Sequence, residues 1–137
     1  MGPGSMTANT LAERLLIRPG TSLWFSPIEW LHILGPLPPG VRMSGEFAGA
    51  TVAVAFVSNP ASVRWFFNQH RTVMGLPPVV WLCYPARGRT DMNRASLLTI
   101  VAGHYLQPVS EIAIDATWAA MRLRPRVQGR PAPSAGR

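Results

Sequence analysis

Apolar and polar positions follow two rhythms along this chain, and the changes of rhythm mark its elements. Leu11, Leu15 and Leu16 enclose the charged Glu13 and Arg14, the spacing of a short amphipathic helix that must end before Pro19-Gly20. "TSLWFS" (21–26) then alternates, with Leu23 and Phe25 on one face and Trp24 on the other. Both faces are apolar, as in a central parallel strand covered by helices on two sides. Ser26, Pro27 and Glu29 carry the S-x-x-E pattern of a helix N-cap with proline in the first helical position. That helix breaks in "GPLPPG" (35–40). "VRMSGE" (41–46) reads as a second strand and "ATVAVAFV" (50–57) as a buried third.

Asn59-Pro60 repeats the cap-then-proline signal, and the helix that follows sets Val63, Phe66, Phe67, His70 and Met74 on one face with Trp65 opposite. "PPVVWLCYP" (77–85) predicts a fourth strand. Thr90 or Asp91 is placed to cap a helix whose stripe is Ala95, Leu98, Val101, Ala102 and Tyr105. "VSEIAIDATWAAMRLRP" (109–125) reads as two strands joined by a tight turn near Asp115-Ala116, and a pair so joined must be antiparallel. The order implies a three-layer α/β fold of Rossmann or methyltransferase type: a mostly parallel six-stranded sheet ending in an antiparallel hairpin.

Composition narrows the function classes. With 47% apolar and 14% charged residues, the chain is expected to fold as one soluble domain over residues 7–125, after a "MGPGSM" cloning remnant (1–6) and before a disordered Arg/Pro-rich tail (126–137). No apolar run approaches the roughly 18 residues of a membrane span, and no basic-then-apolar leader opens the chain, so a cytoplasmic location is expected. The single cysteine, Cys83, lies in an apolar strand and reads as a small buried hydrophobe. The formal charge is +7, yet residues 122–137 hold five arginines and no acid, leaving eight arginines against six acids elsewhere. Nucleic-acid binding would therefore rest on the tail and is not the expected function.

"LLIRPG" (15–20), "LGPLPPGV" (34–41), "VVWLCYP" (79–85), Thr90-Asp91 and "DATWAAMRLRP" (115–125) together resemble a family of small bacterial proteins classed as a domain of unknown function. Its members have an opening helix ending in Lys- or Arg-Pro-Gly, a strand end with Trp-Pro-Lys, and a closing Asp-x-Thr-Trp hairpin. The resemblance spans about residues 11–125 and implies the topology of a shortened class I methyltransferase. The family's lysine after the strand-end proline is Ala86 here, with Arg87 and Arg89 following.

In open α/β sheets ligands sit beyond the carboxyl ends of the strands. Position thus nominates Ser26, Glu46, Tyr84, Arg87, Arg89 and Asp91 as ligand-binding candidates, with Ser58 and Asn59 on the same rim. Glu46 follows Ser26 at about the interval at which an acid grips a ribose in nucleotide-binding folds. The glycines of that motif are missing: Ser26-Pro27 stands where the chain would have to approach a phosphate or cofactor. His32, His70 and His104 lack metal-ligand spacing, so no metal is expected, and Trp81 and Trp118 read as core aromatics. No Gly-x-Ser-x-Gly elbow is present. The expectation is a non-catalytic, degenerate methyltransferase-like scaffold without a cofactor, acting through a protein partner or as a homodimer that buries Trp65 or the edge hairpin. The alternative is a binder or enzyme that uses an S-adenosylmethionine-like or nucleotide ligand between Glu46 and the arginines.

Overall fold

A computed structural model describes residues 10–86 and 93–126. In chain order these form α1 (Leu11–Arg14), β1 (Ser22–Ser26), a 3-10 segment (Ile28–Leu34), β2 (Arg42–Met43) and a 3-10 turn (Phe47–Gly49). There follow β3 (Val52–Phe56), α2 (Pro60–Gln69), β4 (Val79–Pro85), α3 (Arg94–Gly103), β5 (Leu106–Ala113) and β6 (Trp118–Pro125). The strands make one sheet in the order β2-β1-β3-β4-β6-β5, parallel from β2 to β4. The closing hairpin is antiparallel, and β6 inserts between β4 and the edge strand β5.

Period-two alternation sorts the side chains into two core layers. In β3, Val52, Val54 and Phe56 enter the layer beneath α1 and the 3-10 segment, while Ala53 and Ala55 face the other layer. That second layer also holds Phe66 and Phe67 of α2 and Leu97 and Val101 of α3. Small residues on the strand there oppose large ones on the helices. Trp81 of β4 is fully buried in the first layer, and its indole N–H donates to the carbonyl of Leu15 at 2.8 Å, tying the sheet to the end of α1. Cys83 is buried there too, and desolvation pushes its thiol far above the ordinary value, which keeps it protonated.

The caps explain where the helices begin. Asn59 Oδ1 accepts from Ser62 N–H at 2.8 Å, and Ser62 Oγ accepts from Asn59 N–H, with Pro60 in the first turn. Trp65 points away from the core and is 59% exposed. His70, at the end of α2, donates its Nδ1–H to the Phe66 carbonyl at 2.9 Å and stacks on Phe47. Two of the motifs behind the family resemblance pack on each other. Gly20 and Gly40 both have φ near +79°, Gly20 N–H donates to Pro39 at 3.0 Å, and a Cβ on Gly40 would fall 3.3 Å from Gly20 N.

Four local expectations need correction. Ser26 does not cap a helix: it stays paired with Ala55 in the sheet, Pro27 is extended (φ −75°, ψ 143°), and a 3-10 segment without a side-chain cap begins at Ile28. Only Arg42 and Met43 of the second predicted strand pair with a neighbour. Asn93, with Ser96, is the N-cap of α3, while Thr90 and Asp91 lie outside the described residues. The buried face of α3 is Leu97 and Val101. Ala95 and Ala102 are exposed, and Tyr105, past the helix end at φ +61°, is 65% exposed.

Candidate functional site

The chain reverses direction across the sheet between β1 and β3. From β1 it crosses to β2 through the 3-10 segment, whose Leu34 lies in one core layer; from β2 it returns past β1 to β3 through the turn that buries Phe47 in the other. Connections leaving on opposite faces open a crevice at the strand ends, the place where this architecture holds ligands. Here the crevice is bordered by Ser26-Pro27 and Val57-Ser58-Asn59, with Ser44-Gly45-Glu46 beyond β2.

A phosphate or a cofactor at such a rim is held largely by backbone N–H groups. Among the described residues of this rim, several of those groups are already engaged. Ser58 and Asn59 N–H donate to Ser62 Oγ at 3.0 and 3.1 Å, and Ser62 N–H donates to Asn59 Oδ1. Asn93 and Ser96 repeat this arrangement at the start of α3. Val57 N–H donates to the Cys83 carbonyl, Ala86 N–H to that of Thr117, and Glu46 N–H to Ser44 Oγ. Prolines at 27, 60 and 85 have no N–H to give.

Beside the crevice, aromatic rings close over the strand ends. Phe56, the last residue of β3, lies 5.0 Å from Trp118 and 5.7 Å from Trp30, and the two indoles are 5.3 Å apart at 65°. Trp118 is placed by its turn: Asp115 Oδ1 accepts the N–H groups of Thr117 and Trp118, both at 2.8 Å. Trp118 is thus half-buried at the rim, packed against the core layer as a core aromatic would be, with part of its ring left open. Trp30, His32, Ile33 and Trp118 line an open hollow of about 270 Å³ whose walls are mainly apolar.

A second cluster lies on the opposite face. The Tyr84 hydroxyl donates to Glu111 Oε1 at 3.1 Å, and Arg94 donates through Nε and Nη2 to both oxygens of the same carboxylate, joining β4, β5 and α3. Burial, then Glu111, pushes the Tyr84 phenol up to about 12, so it stays a donor. The hydrogen bonds from Arg94 hold the Glu111 carboxyl below its ordinary value against the opposing effect of burial, and the Tyr84 hydroxyl adds a smaller lowering effect. A depressed carboxylate stabilises the fold above its unfolded value and loses that contribution as pH falls through the folded one. Glu111→Gln should therefore lower stability at pH 7, and the gap from the parent should shrink as pH drops below 4.5, the ordinary glutamate value. Urea unfolding at pH 7 and pH 3 measures it.

The nominated residues do not converge on one point. Ser26 and Glu46 follow neighbouring strands, Ser26 half-buried and Glu46 exposed. Tyr84 is on β4, two strands from β1, and its hydroxyl is engaged by Glu111. Arg87, Arg89 and Asp91 lie outside the described residues. Glu111 and Arg94 were not singled out from sequence; only pairing across the hairpin brings them to Tyr84. Trp30 was not singled out from sequence, and His32 only as a histidine without metal-ligand spacing. Among the described residues no three His, Cys, Asp or Glu side chains gather to hold a metal ion, and no helix is long and apolar enough to cross a membrane.

No protein-family model and no curated protein sequence matches the chain. Solved structures do. A candidate tRNA (m1A22) methyltransferase of Streptococcus pneumoniae superposes with a TM-score of 0.51 at 13% identity, over 92% of this chain and 74% of that one. The same enzyme in complex with S-adenosyl-L-methionine gives 0.51 at 12% identity, over 89% and 76%. A Streptococcus agalactiae protein of the NADB-Rossmann superfamily gives 0.55 at 10%, over 91% and 72%. Likeness at this identity speaks to architecture: the chain has a Rossmann, methyltransferase-like α/β fold, with a mostly parallel six-stranded sheet closed by an antiparallel hairpin.

Proposed function

We propose that this chain is a methyltransferase-like scaffold that does not transfer methyl groups and acts in the cytoplasm through contacts with another protein or a second copy of itself. The same reading includes it in the family of small bacterial proteins that its motifs resemble. The observation that carries it is the state of the rim. Among the described residues, the backbone N–H groups of Val57, Ser58, Asn59 and Ala86 bond internally, and proline occupies three of the junctions where a cofactor would lie against the chain. Trp65, exposed on α2, is a surface suited to a partner.

A second reading rests on Glu46, whose exposed carboxylate follows β2 beside the crevice, where an acid can accept hydrogen bonds from a ribose. One structural neighbour binds S-adenosyl-L-methionine. Calorimetric titration with S-adenosylmethionine, S-adenosylhomocysteine and a nucleotide panel separates the two readings. Silence across the panel is the expected result. Micromolar binding that Glu46→Ala and Arg87→Ala both abolish would overturn the scaffold reading in favour of a cofactor-using protein.

A further inference from the structure

We propose that the hollow lined by Trp30 and Trp118 binds a methylated ammonium group. The two indoles meet at 65° with centroids 5.3 Å apart, making two walls of an open corner, and His32 and Ile33 complete it. Phe56 packs against both tryptophans from the sheet and holds them in place. The walls decide the ligand's chemistry by what they offer. An anion or a sugar needs several convergent N–H or O–H donors, and the four lining side chains offer only the two indole N–H groups and one imidazole. His32 Nδ1–H donates to the Glu29 carbonyl at 3.2 Å and is not free for a ligand. A purely apolar ligand would gain from burial alone. The indole faces favour a cation over it.

Of the chain's six acids, two flank the two tryptophans: Glu29 directly precedes Trp30, and Asp115 accepts the N–H of Trp118. Both are exposed, and no arginine lines the hollow among the described residues. Indole faces attract a cation through their negative quadrupole, and a quaternary ammonium suits such a corner because its methyl groups cost little to desolvate. None of the residues that line this hollow is Ser26 or Glu46, so the proposal does not require that a cofactor bind them.

The test is a titration of the full chain, ¹⁵N-labelled, followed by the indole N–H signals of its five tryptophans. Choline is compared with 3,3-dimethylbutan-1-ol, its uncharged isostere, and with a trimethyllysine peptide. Saturable shifts confined to Trp30 and Trp118 are expected, with choline bound about 2- to 30-fold more tightly than the alcohol, the range a cation–π contact supports. Equal binding of the two, shifts at other tryptophans, or no saturable shift overturns the proposal. Tighter binding of the peptide than of choline assigns the ligand to a modified protein, the reverse to a small solute; either supports the shared chemistry. Trp118→Leu should remove the preference for choline while keeping the alcohol. Because that variant touches the rim packing, Glu29→Lys, at an exposed position, is its companion: it should weaken choline and leave the alcohol unchanged, and equal affinities for choline in Glu29→Lys and the parent would count against the proposal.

Discussion

Trp81→Ala is expected to cost about 3–5 kcal/mol of stability, a drop in Tm of roughly 10–20 °C. Trp81 is buried in the centre of β4, on the side of the sheet covered by α1, and it is among the largest side chains fully enclosed in this fold. Truncation leaves a cavity between a sheet and a helix of four residues, and so short a helix holds its place by packing more than by its own propensity. It also removes the donor to the Leu15 carbonyl, which lies in a dry layer. Trp81→Phe separates the two effects, because it keeps most of the volume and loses the hydrogen bond; it should cost about 1–3 kcal/mol. Thermal and urea unfolding of both variants measure the difference. A loss under 1 kcal/mol for Trp81→Ala would mean that α1 does not depend on this contact.

Phe56→Ala is the second large effect, again about 3–5 kcal/mol by the usual cost of deleting a buried phenylalanine. Phe56 is 7% exposed and touches three rings, those of Phe25, Trp30 and Trp118. Edge-to-face pairs of this kind add about 0.5–1.5 kcal/mol beyond the area they bury, so Phe56→Ala and Trp118→Ala should fall short of additivity by about that amount. Removing Phe56 also removes the floor beneath Trp30 and Trp118. Their emission should move to longer wavelength as water reaches them, while Trp81 stays dark to quenchers. Unchanged emission would show that the two indoles hold their corner without Phe56.

Much of this architecture was legible from the chain. β3 and β4 are apolar on both faces, which only a sheet covered on two sides can use, and all twelve of their residues are buried. Asn59-Pro60 announced α2, and the phenylalanine pair at 66 and 67 announced which face it buries. The turn near Asp115 announced the closing hairpin. These signals are local: a cap, a turn or a run of β-branched residues is decided within a few positions.

Ser26, Pro27 and Glu29 show the limit of such signals. The S-x-x-E pattern fits a capping box, yet Ser26 hydrogen-bonds as a strand residue beside Ala55, and the sheet outweighs a cap whose worth is about 1 kcal/mol. The stripe on α3 held only in part: Val101 is buried and Leu98 packs against the core, but Leu97, not Ala95 or Ala102, completes the buried face.

The chain by itself determined the elements, their order and the two-sided burial of the sheet, because each follows from spacing and from residue chemistry over short windows. Tertiary structure alone decided what meets at the rim. Glu111 and Arg94 reach Tyr84, and Trp30 reaches Trp118 across 88 positions of sequence, because the sheet inserts β6 between β4 and β5 and so returns the hairpin's turn to the carboxyl ends of the parallel strands. No local propensity encodes such a pairing; it is set by which strands must share hydrogen bonds once every apolar face is covered.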